Sequence, residues 1–405
     1  MLRRFTLAFH IKKGNYKIMK ILHLILCNPF TEGMTYQENM LADAMADDGN
    51  QVYVITNCFV MKGGSIVKTE PCEKRLESGV TIYRYEYKKV INKFLTRKLR
   101  IAGNIIEKIK NLDPDILVMH GLQSLSEISV CNYADKYNKP IVADVHADYS
   151  NSGLGFISKN ILHRIVYKIV AKRIEKSAKK IYYITIDSKD FIKNEYGLKN
   201  EKLKFLPLGG KILSDAVYYK WRKEIREEIG VKENEIVYVH TGKLDHLKKT
   251  DFLIEAFYKA DVSNAVLIIV GTIDKSIKGL IDDLILDSRN KGQVRYLGWK
   301  SGEGVIKRLC AADVYVQPGG KSATFQNAMC CKCAMVSYPH KAYMNGYING
   351  NCIWAKDEDE LVETFKYIES HPIELKKMQK RSEKIAKEKL DYTNQSRMII
   401  ADCGY

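Results

Sequence analysis

Short apolar runs alternate along the chain with segments whose apolar residues recur every three to four positions. The runs at Ile21 to Leu26, Val52 to Thr56, Ile116 to Met119, Ile141 to Val145 and Tyr182 to Ile186 predict strands, and patterns such as Tyr36 to Ala46 predict helices between them. Alternation of this kind implies a parallel sheet with helices on both faces. A hairpin-like pair near Val80 to Tyr87 is the one expected deviation. After the turn-rich stretch Leu206-Pro207-Leu208-Gly209-Gly210 the pattern starts again, with strands predicted at Ile236 to Thr241, Val266 to Val270, Val294 to Leu297, Val314 to Gln317 and Met335 to Tyr338. From Glu358 onward the chain reads as helices. Two doubly wound α/β domains side by side are therefore expected, with ligands outside the carboxyl ends of the strands, in the cleft between the halves.

Length and composition agree with two domains. The chain has 405 residues, 46% hydrophobic and 28% charged, which fits neither a disordered nor a fibrous protein. No stretch reaches the roughly 18 uninterrupted apolar residues of a membrane-spanning helix. Residues 1–18 carry Arg3, Arg4, Lys12, Lys13 and Lys17 around a short apolar run and read as an N-terminal extension, since a better strand start begins at Met19. That start does not read as a secretory signal, and the ten cysteines are scattered, so reduced thiols and a cytoplasmic location are expected. Cys330, Cys331 and Cys333 lack the paired spacing of a structural zinc site and read as small packing residues.

The net charge of +17 is concentrated in two segments of the first half. Nine basic residues against two glutamates give a local +7 from Arg84 to Lys110, and eight against Glu175 give another +7 from Lys159 to Lys180. No zinc-finger or aromatic RNA-binding signature accompanies them, so nucleic acid is not the expected partner; an anionic membrane surface or a phosphate-bearing substrate fits the charge. Arg164, Lys168, Lys172, Lys176 and Lys180 recur every four residues, which predicts a helix with a basic face. Ile161, Ile165, Ile169, Leu162, Val166 and Val170 lie on the other side, so the segment reads equally as a core-packed helix with a solvated basic face and as a helix that docks on an anionic membrane; both hold if the apolar face packs inward and only the lysines meet lipid.

Candidate chemistry centres on TGKLDHLKKTDFLIEAF, where Gly242, Lys243 and Lys248 precede a helix. Read as a strand-to-helix loop, this places two cations near a helix amino end, whose unpaired N–H groups already favour an anion such as a diphosphate. The second half then reads VLIIVG, VRYLGWKS, AADVYVQP and QNAMCCKCAMV, and the first half KILHLIL, GMTYQENMLADAMADDGNQVYVIT, PDILVMHG, PIVADVHAD and FLPLGGK. In order and spacing this series resembles glycosyltransferase family 4, from about Met19 to the end.

The resemblance implies a GT-B fold of two Rossmann-like domains. It implies an acceptor-binding domain over 19–208, a nucleotide-sugar-binding domain over 209–385, and a C-terminal helix over 386–405 returning toward the first. It implies transfer from a nucleotide diphosphate sugar to a glycan acceptor, most plausibly lipid-linked, with retention, no cofactor and no required metal. The setting implied is surface polysaccharide synthesis at the inner face of the plasma membrane. Lys243 stands where the family commonly has Arg, and Lys248 matches its phosphate-binding Lys. His146 matches a histidine that contacts the donor sugar, and Gly33 falls in a loop that lies against the donor in relatives.

The chain departs from that pattern where relatives carry two glutamates eight positions apart. Asn327 occupies the second position and counting back gives Gly319 for the first, within the short segment PGGKSATFQN. Asn327 can still bond a ribose hydroxyl through its amide, and Gly319, Gly320, Ser322, Thr324 and Gln326 are the candidates for the remaining donor contacts. The alternative is a non-catalytic member that binds a sugar nucleotide or a partner without transfer. Read without the family, His120 and His146 are ordinary strand-end histidines, Asp113-Pro-Asp115 is a helix-to-strand turn rather than a metal motif, and Asp357 to Glu360 is a helix start.

Overall fold

The structure, a computed structural model, describes residues 18–62, 65–322, 324–341, 343 and 348–405. All but the last residue of the extension read over 1–18 lies outside them.

Continuous apolar runs demand cover on both faces, and the first sheet has it. Its strands lie in the order Leu203–Phe205, Ala178–Tyr183, Ile141–Val145, Ile116–His120, Lys20–Ile25, Gln51–Asn57, Thr81–Tyr85 and Cys72–Arg75. All neighbours are parallel except the last pair. Leu22 and Leu24 pack into one core layer and Ile21 and Ile25 into the layer on the other face. The second sheet runs Val294–Tyr296, Ala265–Ile273, Ile236–Leu244, Val314–Gln317, Ala334–Ser337 and Cys352–Trp354, parallel throughout, again between two apolar layers. Each sheet has one point where the strand order reverses. It lies between Lys20–Ile25 and Ile116–His120 in the first and between Ile236–Leu244 and Val314–Gln317 in the second.

Several expectations are corrected. The strand read at Tyr182 to Ile186 runs instead over Ala178–Tyr183, because the Thr185 hydroxyl accepts the Ser188 N–H and starts the helix Ile186–Tyr196. Lys179 and Lys180 hide the beginning of that strand, so Lys180 belongs to no basic helix face. The hairpin near Val80 to Tyr87 is formed by Cys72–Arg75 with Thr81–Tyr85, and a separate ribbon pairs Phe59–Lys62 with Ser65–Lys68. Residues Ser158–Tyr167 form π-helical turns that continue into the α-helix Lys168–Ser177. The core takes only part of the apolar arc that these turns carry. Leu162 and Val170 are buried, whereas Ile161, Ile165 and Ile169 are exposed.

The last helix, Tyr392–Asp402, lies on the first domain. Asp402 takes bonds from Tyr182 Oη and Lys204 Nζ, each at 2.6 Å, and Arg397 pairs with Asp48 at 2.9 Å. Asp115 accepts the Lys20 N–H at 2.8 Å and Asp113 pairs with Lys139, which makes this the ordinary turn its sequence suggests. Asp357 caps the helix Glu358–Ser370 by accepting the Glu360 N–H. Cys330, Cys331 and Cys333 are buried free thiols. Among the described residues, no group of three His, Cys, Asp or Glu is placed to hold a metal ion, and no helix is long and apolar enough to cross a membrane.

Candidate active site

Backbone groups at the carboxyl ends of parallel strands point into open space where the strand order reverses, and side chains from the flanking loops converge there. In the first domain this point is a cavity of about 320 Å³. Cys27 and Asn28 follow one strand, His120 to Gln123 end and follow the next, and Val145 to Ala147 end and follow the third; Glu38, Arg100, Asn151, Ser152 and Tyr196 complete the walls.

His146 is 30% exposed on this wall, and behind it stands a buried polar chain. His146 Nε2 lies 3.6 Å from Asp144 Oδ1, His120 Nδ1 lies 2.7 Å from Asp144 Oδ2, and His23 Nδ1 lies 2.9 Å from His120 Nε2. A carboxylate only accepts, so His120 donates through Nδ1. Burial alone would raise the Asp144 pKa, but the two histidines outweigh it and hold the carboxyl far below its usual range. Burial would likewise lower the His146 pKa, and the Asp144 carboxylate overrides it, so the imidazole keeps its proton to higher pH than a free one. His23, whose burial dominates, is pushed well down. Deeper still, Glu127 accepts the Ser124 N–H and is raised by burial to about 8.

The second domain's reversal point carries the cationic segment. Lys243 is in the strand Ile236–Leu244 rather than in a loop as its sequence suggests, and its side chain is exposed. The ladder extends because Gly242 and Gly271 are register partners, both at φ +146°; a Cβ on Gly271 would stand 1.8 Å from the Gly242 carbonyl oxygen. Lys248 ends a turn over His246–Lys248, just before the helix Thr250–Ala260. Burial lowers its pKa, and its Nζ donates to the carbonyls of Gly320, at 3.4 Å, and Lys321.

The loop after Val314–Gln317 closes on that turn. Gly320 N donates to Leu247 O at 2.6 Å, and a Cβ on Gly319 would come within 2.1 Å of the same oxygen, so only glycine permits this approach. The structure thus brings Gly242, Lys248, Gly319 and Gly320 together. Ser322 donates its N–H to Tyr343 Oη, Thr324 N donates to Ser322 Oγ, and Gln326 is buried in the short helix that follows. Asn327 Oδ1 accepts the Lys211 N–H at 3.1 Å, against the segment that joins the domains. Gly33, at φ +73°, lies in a separate depression with Phe30, Asn39 and Leu76, away from the His146 cavity.

Sequence reading missed four residues that organise these loops. Lys321 reaches across from the second domain to Asp148 at 2.9 Å and to Asp187 at 3.5 Å. Burial opposes ionisation of Asp148, but bonds from Ser150 and Lys321 hold its pKa low. Asp148 sits two residues from His146, so this ion pair ties the loop of the histidine to the loop of the two glycines. His240 spans Val316 O, at 2.8 Å, and Thr250 Oγ1, at 3.2 Å, and fixes the helix start beside Lys248. Burial takes His240 down to about 4, so it is neutral at pH 7. Asp144 lay within a predicted strand, with no pattern to mark it as the partner of two histidines.

Removal of the bridging charge is expected to loosen the paired loops. Lys321→Ala should lower the free energy of unfolding by roughly 1 kcal/mol, a typical worth for a partly exposed ion pair. Asp148→Asn should do the same, and the double substitution should cost little more than either alone. Full additivity in denaturant unfolding would show that the pair does not act as one contact.

Comparison with known proteins adds the family. Residues 222–388 match the model for "Glycosyl transferases group 1" and residues 33–209 that for "Glycosyltransferase Family 4". An uncharacterized glycosyltransferase of Methanocaldococcus jannaschii, MJ1607, is 23% identical over 284 residues, 69% of this chain and 68% of that protein. Among solved structures, Anabaena HepE in complex with UDP superposes with a TM-score of 0.63 at 14% identity, over 95% of this chain and 99% of that one. WaaG, a glycosyltransferase involved in lipopolysaccharide biosynthesis, superposes with a TM-score of 0.57 at 15% identity, over 96% and 100%. A glycosyltransferase from Rickettsia africae gives 0.66 at 15%, over 96% and 98%. With both of its halves matched and two Rossmann-like parallel sheets present, this chain belongs to the group 1 glycosyltransferases of family 4 type, with the GT-B fold.

Proposed function

We propose that this enzyme moves a sugar from a nucleoside diphosphate onto a glycan acceptor carried on a lipid, with retention at the anomeric carbon, in surface polysaccharide synthesis at the cytoplasmic face of the membrane. The observation that carries this reading is the Lys321–Asp148 bridge, which holds the loop of Lys248, Gly319 and Gly320 opposite the cavity of His146. In this reading the diphosphate lies against Lys248, the start of the helix Thr250–Ala260 and the glycine loop. Lys243, exposed at the strand end, adds a second cation. Charge grows on the diphosphate as the glycosidic bond breaks, and groups already aimed at it lower the barrier without reorganising. His146 meets the transferred sugar, and the cavity behind it receives the acceptor. HepE structures contain UDP or UDP-glucose, which supports a uridine diphosphate sugar as the first donor to try.

Thermal-shift screening against uridine, guanosine and adenosine diphosphate sugars tests the donor. Binding to the native state by a ligand at 100 times its Kd adds about 2.7 kcal/mol of stability, so one nucleotide class should raise Tm by several degrees. A second reading, binding without transfer, is favoured by the absence of both family glutamates and by the engagement of Asn327 with Lys211 N–H. It predicts the same Tm rise with no nucleoside diphosphate released over a panel of lipid-linked acceptors.

A further inference from the structure

Folded chains rarely leave a continuous run of large apolar side chains in water, because each loses the transfer free energy that burial provides. On the first domain such a run follows the loop after His146 and the helix beyond it. Leu154 and Phe156 are 75% and 79% exposed, and Ile157, Ile161, Ile165 and Ile169 are between 46% and 58% exposed. The opposite side of the same helix, Leu162, Tyr167, Val170 and Ile174, is buried in the core. The outward isoleucines are therefore in excess of what the fold needs. Exposed Lys159, Arg164 and Lys168 stand among them.

The second basic segment joins this surface. Tyr167 Oη donates to Lys98 O at 2.7 Å and the Arg100 guanidinium lies 5.7 Å from the Tyr167 ring, which sets the helix Lys93–Leu99 against the helix Ser158–Tyr167. That neighbour also turns apolar groups outward: Ile91 is 91% and Phe94 51% exposed, with Lys93 exposed between them. The fold has thus united the two most basic stretches of the chain into one face that is apolar along its ridge and cationic beside it. Such a face matches the interfacial region of an anionic bilayer, where apolar side chains enter the acyl boundary and lysines meet headgroup phosphates.

We propose that this face, with Phe156, Ile161, Ile165 and Ile169 inserted and Lys93, Lys159 and Lys168 against the headgroups, docks the enzyme on an anionic lipid surface. Its position gives the docking a purpose, and that purpose rests on the lipid-borne acceptor proposed above. Leu154 and Ser158 line a depression with Lys98 and Arg100, and Arg100, Gln123, Asn151 and Ser152 line both this depression and the His146 cavity. An acceptor leaving the bilayer beside Leu154 would enter the cavity without crossing bulk water.

The test needs no turnover, so its failure is separate from failure of the transfer reading. The full-length protein is sedimented with vesicles of phosphatidylcholine alone and of equal parts phosphatidylcholine and phosphatidylglycerol, at low and high salt. It should bind the anionic vesicles and be released by salt. The combined substitution of Lys93, Lys159 and Lys168 by Gln should weaken binding about 100-fold, at roughly fivefold per basic residue. Ile161→Ser, Ile165→Ser and Ile169→Ser together should weaken it at least tenfold while circular dichroism stays native, and Ile165→Trp should shift its emission to the blue on anionic vesicles only. Equal binding to neutral vesicles, unchanged binding by the serine variant, or no binding at all would overturn the proposal. So would a dimer in analytical ultracentrifugation that the serine substitutions dissolve, since a second copy would then cover the stripe.

Discussion

Lys248→Ala is expected to lower kcat/KM for sugar transfer by roughly 10- to 150-fold, the equivalent of one charge-assisted hydrogen bond of about 1.5 to 3 kcal/mol. The residue is half-buried between the turn His246–Lys248 and the glycine loop, and among the described residues its side chain donates to the carbonyls of Gly320 and Lys321. A bound diphosphate offers it stronger acceptors at the same place. Because the leaving group carries more charge in the transition state than in the ground state, kcat should fall along with affinity. Lys243→Ala should cost less, since that side chain is exposed at the end of a strand and its charge is better screened. The two share one ligand in this account, so the double variant should depart from additivity by more than about 0.5 kcal/mol. Unchanged steady-state constants in both single variants would remove the donor from this loop.

His146→Ala should reduce kcat by a similar factor, roughly 10- to 150-fold, while nucleotide affinity measured by titration stays nearly the same. The histidine belongs to the first domain and lines its cavity, whereas the groups proposed to hold the diphosphate belong to the second. Asp144→Asn separates charge from shape. Without the carboxylate, burial is left as the main influence on His146 and pulls its pKa below the usual value. A limb of the pH–kcat profile that loses activity as His146 deprotonates should therefore move to lower pH in the variant. The stability effect has the same sign. With the folded pKa raised, the pair's contribution is complete below about pH 6.5 and is lost as pH rises through the folded value. Tm measured against pH should show that loss in the parent and not in Asp144→Asn. A purely structural histidine would lower Tm and kcat together without moving the limb.

Two Rossmann-like domains were legible because buried parallel strands are written as apolar runs, and few other patterns imitate ten of them in order. Strand ends were less so. Lys179 and Lys180 open a strand whose sequence looks like the end of a basic helix, and a Gly242–Gly271 contact carries the strand through Lys243, where the glycine and two polar neighbours read as a loop. Motif order places most of the candidate site residues near strand ends, and the structure puts His146 and Lys248 close to the two reversal points. Their supports were not: Lys321, Asp148, Asp144 and His240 act through partners 10 to 173 residues away, a separation no local pattern records. The outward isoleucines were misplaced for a different reason. Hydropathy gives the width of an apolar arc but not which part of it the core will take, and only packing chose Leu162 and Val170 over Ile161 and Ile165.

The central claim is that sugar transfer occurs between the Lys248 loop and the His146 cavity. It is tested most directly by following nucleoside diphosphate release and label transfer together, from the sugar nucleotide that gives the largest Tm shift to a lipid extract supplying glycan acceptors. The account predicts acceptor-dependent release matched by label in the lipid fraction, with both falling roughly 10- to 150-fold in Lys248→Ala. Release and transfer that proceed equally well in that variant, or tight donor binding with no release under any acceptor, would contradict it.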